Sequence, residues 1–72
     1  MGMQLTARVW PEDDGFVAEC VELGVASQGD TEDQAMVHLR EAVEGFLEAA
    51  DPVEVQERLH EGTHIRTFDV AV

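Results

Sequence analysis

Five consecutive residues, His60-Glu61-Gly62-Thr63-His64, have the spacing that most directly suggests chemistry. They match the H-E-x-x-H pattern, in which two histidines one helical turn apart bind zinc and the glutamate acts as general base. That geometry needs a continuous helix, whereas Gly62 and the β-branched Thr63 disfavour one here. A zinc-dependent hydrolase is therefore kept only as an alternative. We expect no metal ligand, no cofactor and no catalytic residue.

The single cysteine, Cys20, falls on the apolar side of a strand-like pattern. No cation stands beside it in the sequence to favour a reactive thiolate. We therefore predict a small core residue. One cysteine also excludes an internal disulfide, so nothing in the chain calls for an oxidising compartment.

The charge of the chain is strongly one-sided. Sixteen acidic residues stand against four arginines and no lysine in 72 residues, for a formal net charge of −12. Such a surface repels nucleic acid and anionic membranes and favours a basic partner. The alternative is that the acidity serves solubility or a salt-rich cytoplasm. With no apolar run long enough for a membrane span and no signal peptide pattern, we expect a cytoplasmic protein.

Three strands are predicted before the longest element. Residues 3–10 and 16–21 each alternate apolar and polar side chains, and the cluster at 11–15 reads as the turn of a hairpin between them. Residues 25–28 are long enough for a third, edge strand.

The longest predicted element is a helix over residues 31–50, which needs a surface to cover. Thr31 can cap its start, with Gln34 as the other half of a capping box. One face carries apolar residues at spacings of three and four: Ala35, Met36, Leu39, Ala42, Val43, Phe46 and Ala50.

A short helix starting at Asp51-Pro52 and a final strand over 65–72 complete the predicted elements. A strand that follows a helical crossover usually joins the same sheet in parallel. The predicted fold is thus α+β, of order β-β-β-α-β. It has a four-stranded mixed sheet of order 3-2-1-4 and the long helix on one face. Residues 1–72 form a single domain, with a core motif at 3–50 and the short helix and final strand at 51–72.

Residues 3–50 resemble the HicB-like antitoxins. The similarity lies in D-G-F-V-A-E-C at 14–20, V-E-L-G at 21–24 and S-Q-G-D-T-E-D-Q-A at 27–35, followed by the acidic amphipathic helix. Two departures are visible. The turn at 21–24 lacks the prolines of the P-E-L-P-G sequence common in that family. After Ala50 nothing is similar to the DNA-binding module that many members carry, so the chain resembles a short form.

The resemblance implies a partial ribonuclease-H-like fold and a partner role without catalysis. HicB antitoxins neutralise HicA toxins, which are small basic RNA-cleaving proteins. The implied function is a protein-binding module that occludes such a toxin and does not itself bind nucleic acid. An orphan oligomeric module without a toxin is the alternative within this family. The implied fold also suggests Glu19, Glu22 and Asp30 as candidate carboxylates for two metals, although chance matches are expected in so acidic a chain.

Two sets of surface residues are predicted to make contacts. Carboxylates that share a helix stripe, extended by two near the sheet edge, are expected to meet the basic partner: Glu19, Glu22, Glu41, Glu44 and Glu48. Apolar residues left on outer faces are expected to support a homodimer or higher oligomer: Trp10, Val17, Val21 and Val37.

Overall fold

A computed structural model describes residues 3–59 and 66–72. Its elements follow in the order β1 (Ala7–Glu12), β2 (Gly15–Cys20), β3 (Val25–Gly29), α1 (Glu32–Ala49) and α2 (Pro52–Leu59). The strands form one antiparallel sheet of order β1-β2-β3. Cross-strand partners include Trp10 with Val17 and Phe16 with Gly29.

The predicted four-stranded mixed sheet of order 3-2-1-4 is wrong. The sheet has three antiparallel strands, and residues 66–72 form neither strand nor helix. The first residue of the predicted last strand, Ile65, lies outside the described residues. The error has a physical reason, because alternation shows that a segment suits a sheet but not which edge it pairs with.

The long helix begins as its capping residues predict. Thr31 is the N-cap, and its hydroxyl accepts a hydrogen bond of 3.0 Å from the Gln34 N–H. The Gln34 side chain reaches back to the Asp30 N–H at 2.6 Å. Similarly, the Asp51 carboxylate caps α2 by accepting from the Val53 N–H at 2.8 Å. These bonds satisfy amide donors that have no partner within a helix.

The core lies between α1 and the face of the sheet that carries Ala18 and Cys20. Its buried side chains are Ala18, Cys20, Leu23, Ala35 and Leu39. Val43 and Phe46 are partly buried and pack against this cluster. The prediction that Cys20 is a core residue is confirmed, with 2% of it exposed.

The position of α1 over the sheet is uneven. It packs against β3 and β2 and touches β1 only lightly. The short connection from β3 to α1 enforces this, because a Cβ on Gly29 would lie only 2.5 Å from the Ala35 nitrogen. The helix therefore starts directly above β3, and among the described elements it leaves the same side of β1 partly uncovered.

The helix α2 is held to the rest of the domain by Arg58. Its Nη1 donates to the Leu23 carbonyl at 2.6 Å, and its guanidinium lies 4.8 Å from the centre of the Phe46 ring. Glu54, one turn earlier, accepts from Nη2 at 3.3 Å. One cation thus links α2 to both the loop after β2 and the carboxyl half of α1.

Candidate functional site: an acidic helix stripe beside an apolar groove

The three helical carboxylates of the predicted partner site lie on one exposed side of α1. Glu41, Glu44 and Glu48 recur at spacings of three and four and are all exposed. We call these three residues the acidic stripe. The salt bridges found among residues 3–59 and 66–72 join Arg8 to Glu19 and Arg58 to Glu54, so neither neutralises the stripe. Arg40 is the cation nearest to Glu44 along the helix.

An apolar groove runs between the uncovered side of β1 and α1, and Glu41 and Glu44 form part of its rim. We call it the β1–α1 groove. Met36 is 40% exposed on its helix side, although Leu39 beneath it is buried. The main apolar residues that line the β1–α1 groove are Leu5, Ala7, Met36, Leu39, Val43 and Leu47.

The other two predicted partner-binding carboxylates do not join the stripe. Glu19 lies on the sheet face opposite α1, where it is paired with Arg8 at 2.7 Å. Glu22 follows β2 and accepts hydrogen bonds from the Thr6 N–H at 2.9 and 3.1 Å. The structure therefore brings together Glu41, Glu44 and Glu48 and gives Glu19 and Glu22 partners within the domain.

The carboxylate of Glu22 is shaped by two opposing effects. Partial burial alone raises its pKa, but hydrogen bonds from the Thr6 and Glu22 N–H groups and the Cys20 thiol outweigh that effect. The net result is a pKa below the ordinary value of 4.5. Glu22 thus fixes the entry of β1 as a charged acceptor.

The predicted self-association residues divide between two surfaces. Trp10 and Val17 are direct cross-strand neighbours on the sheet face opposite α1. There the Arg8 guanidinium lies 5.1 Å from the Trp10 ring centre, and Trp10 Nε1 donates to Glu12 at 3.1 Å. Both contacts lie within the domain and hold the indole on the sheet surface.

The remaining two residues of that set lie elsewhere. Val21 follows β2, and its N–H donates to the Thr6 carbonyl at 2.9 Å. Val37 is 56% exposed on α1, one turn before Glu41, and lines the β1–α1 groove. The predicted set is therefore not one continuous patch.

A second cleft, at the opposite end of the sheet, was not predicted from the sequence. His38 lies in it, and its Nδ1 donates to the Gln28 carbonyl at 2.6 Å. Acidic residues of the hairpin turn and of the start of α1 surround this cleft: Glu12, Asp13, Asp14 and Asp30. In the sequence, this cleft is indicated by the polar residues at positions 30, 34 and 38, which recur one helical turn apart at the start of α1.

The metal-binding alternatives have different outcomes. Glu19 lies in β2, on the sheet face opposite α1, whereas Asp30 lies in the connection between β3 and α1. Within 3–59 and 66–72, no three His, Cys, Asp or Glu side chains come together in a group that could hold a metal ion. The H-E-x-x-H match, His60 to His64, lies outside the described residues. Among the described helices, none combines the length and apolarity needed to cross a bilayer.

These features define a small α+β domain with an acidic helix stripe beside an apolar groove. The chain belongs to a family of unknown function, DUF7387, whose model matches residues 3–69. No curated protein and no solved structure matches the chain. Because the family carries no assigned activity, the resemblance to HicB-like antitoxins stays a prediction.

Proposed function

We propose that this chain is an antitoxin-like protein-binding module. It neutralises a small basic RNA-cleaving toxin of the HicA type by covering it, in the cytoplasm and without catalysis of its own. The observation that carries the proposal is the acidic stripe, which has no salt-bridge partner among the described residues. The resemblance of residues 3–50 to HicB-like antitoxins names the class of partner.

The stripe is unfavourable in an isolated domain. Like charges three or four residues apart each destabilise a helix by about 0.2–0.5 kcal/mol. Glu48 also lies in the last turns of α1, where the helix dipole favours cations, and no basic residue occupies the last turn. A cationic protein docked along the stripe relieves this repulsion, so the arrangement suits binding better than solitary stability.

Net charge and local charge act in the same direction. A chain of formal charge −12 attracts a basic protein over distances of about 10 Å at moderate salt. Complementary charges of this kind mainly raise the association rate. Val37, in the middle of an otherwise charged helix side, supplies apolar contact area next to Glu41. Steering by the stripe and contact through Val37 together describe the proposed docking surface.

An RNA-cleavage assay tests this function directly. A purified HicA-type toxin is incubated with RNA and increasing amounts of the full chain. We expect cleavage to stop near one chain per toxin molecule and to resume when salt is raised enough to weaken the complex. Unchanged cleavage at a large excess of the chain would contradict the proposal.

An orphan oligomeric module remains the second candidate, and one observation favours it. Phe68 and Val70, in residues 66–72, are 85% and 67% exposed. A segment in which apolar side chains recur and are all exposed favours contact with another surface over a solitary domain. Concentration-dependent self-association without any effect on RNA cleavage would support the orphan module over the antitoxin.

A further inference from the structure

The strand β1 has an edge that no described strand covers. The Val21 N–H donates to the Thr6 carbonyl, so in the alternating antiparallel pattern Arg8 and Trp10 turn their backbone groups toward β2. Ala7 and Val9 then direct their N–H and C=O groups outward. Such groups are a template for a further strand.

Part of this edge is blocked and part is open. Pro11 occupies the next outward position and has no N–H to offer. The open part therefore lies at Ala7 and Val9. It adjoins the β1–α1 groove, which Leu5 and Ala7 line from the sheet side. A strand added there would place alternate side chains in an apolar channel.

Residues 66–72 have the composition and length of such a strand. Phe68, Val70 and Val72 alternate with Thr67, Asp69 and Ala71. All seven residues are exposed and none is in the sheet. The side-chain charges of Arg66 and Asp69 cancel, so the side chains of the segment add no net charge at the acidic rim of the groove.

We propose that residues 66–72 of a second copy of this chain add to the open edge of β1. Phe68 and Val70 of that copy fill the β1–α1 groove, and the exchange is reciprocal. A two-fold arrangement of this kind covers both open edges and both exposed apolar segments at once.

The dimer and a complex with a basic toxin are expected to respond to salt in opposite directions. Two chains of formal charge −12 repel each other, and salt screens that repulsion. Self-association is therefore expected to strengthen as salt rises. Association with a basic protein is expected to weaken under the same change, so the two events can be separated in one titration.

Hydrogen exchange on the full chain tests the proposal at two atoms. The outward amides of Ala7 and Val9 are expected to exchange quickly at low protein concentration and to become protected as concentration rises. Sedimentation of the same samples is expected to show a dimer forming over the same range. Fast exchange at all concentrations would overturn the proposal. So would protection in a monomer, since the segment would then cover its own chain.

A pair of substitutions identifies the segment as the occupant. Phe68→Ser removes a groove-filling side chain and is expected to raise the dimer dissociation constant about tenfold or more. Ala71→Ser, on the opposite side of the alternation, is the matched control and is expected to change it less than threefold. A dimer unaffected by Phe68→Ser would place the interface elsewhere and overturn the proposal. Both substitutions lie outside the sheet and the core, so the domain itself remains folded.

Discussion

The backbone N–H of Thr6 donates to both carboxylate oxygens of Glu22, at 2.9 and 3.1 Å. Glu22 lies sixteen positions after Thr6 in the sequence, and the contact ties the entry of β1 to the loop after β2. The Cys20 thiol adds a longer contact to the same carboxylate, at 3.8 Å. Glu22 therefore stabilises the fold through contacts within the domain, although it was predicted to extend the partner-binding carboxylates at the sheet edge.

Glu22→Gln is expected to give a pH-dependent loss of stability. Because the folded-state pKa of Glu22 lies below 4.5, its carboxylate stabilises the fold above that pH and loses this effect as the pH falls through the folded value. The variant should be about 0.5–1 kcal/mol less stable at pH 7, allowing for solvent screening. Urea unfolding at pH 7, 5 and 3 measures the difference in free energy of unfolding between the parent and the variant, which should shrink below pH 4.5.

Asp14→Asn is the control for that series. Asp14 is exposed, and its carboxylate makes no hydrogen bond among residues 3–59 and 66–72. Its replacement should therefore produce no difference in the free energy of unfolding that disappears at acid pH. If the stability difference between the parent and Glu22→Gln stayed constant or widened as the pH fell, the carboxylate would not be what stabilises the entry of β1.

Replacing Gly45 or Gly29 by alanine is expected to change the stability of the fold in opposite directions. A Cβ on Gly45 meets no atom within 4 Å, so Gly45→Ala should stabilise α1 by about 0.5–1 kcal/mol. A Cβ on Gly29 would lie 2.5 Å from the Ala35 nitrogen, so Gly29→Ala should destabilise by about 1–3 kcal/mol through displaced backbone. A urea midpoint for Gly29→Ala at or above that of the parent would contradict the close approach of β3 and α1.

Arg58→Lys should loosen α2 while keeping its charge. Lysine cannot reproduce both the 2.6 Å hydrogen bond to the Leu23 carbonyl and the planar contact over the Phe46 ring. We expect a loss of about 1–2 kcal/mol and faster amide exchange in α2. Arg40→Lys, at an exposed position on α1, is the control and should stay within about 0.5 kcal/mol. Equal urea midpoints for the two variants would show that Arg58 does not hold α2.

Much of the local structure was predictable because its causes are local. Alternation and the turn residues between the two runs predicted the hairpin, and the length of the segment at 25–28 predicted a third strand. Thr31 with Gln34 predicted the start of α1. The spacing of Glu41, Glu44 and Glu48 was sufficient to group them, since helix periodicity alone puts them on one side.

The remaining features depend on contacts between distant residues. The alternation in residues 65–72 did not determine whether or where this segment pairs with the sheet. The predicted parallel pairing with the first strand was wrong. Glu19 was expected near the stripe, but strand register puts it opposite Arg8 on the other sheet face. The β1–α1 groove follows from the close contact at Gly29, which sets the helix over β3 and which no periodicity reveals.

The acidic stripe can be tested against a control of equal charge. Glu41→Gln/Glu44→Gln/Glu48→Gln removes three negative charges from α1. Asp14→Asn/Glu32→Gln/Glu57→Gln removes three exposed charges away from the stripe. Both variants should keep the fold, measured by circular dichroism and urea unfolding, because none of the six carboxylates forms a salt bridge in the described part of the chain.

The association rate with a purified HicA-type toxin, measured by stopped flow from low to high salt, tests the proposed function most directly. We predict that the stripe variant associates about tenfold more slowly than the parent at low salt and shows a flatter salt dependence. The control variant should stay within about threefold of the parent. The proposal that this helix captures a basic toxin would be contradicted if the stripe variant associated at the parent's rate. It would also be contradicted if the parent did not bind the toxin.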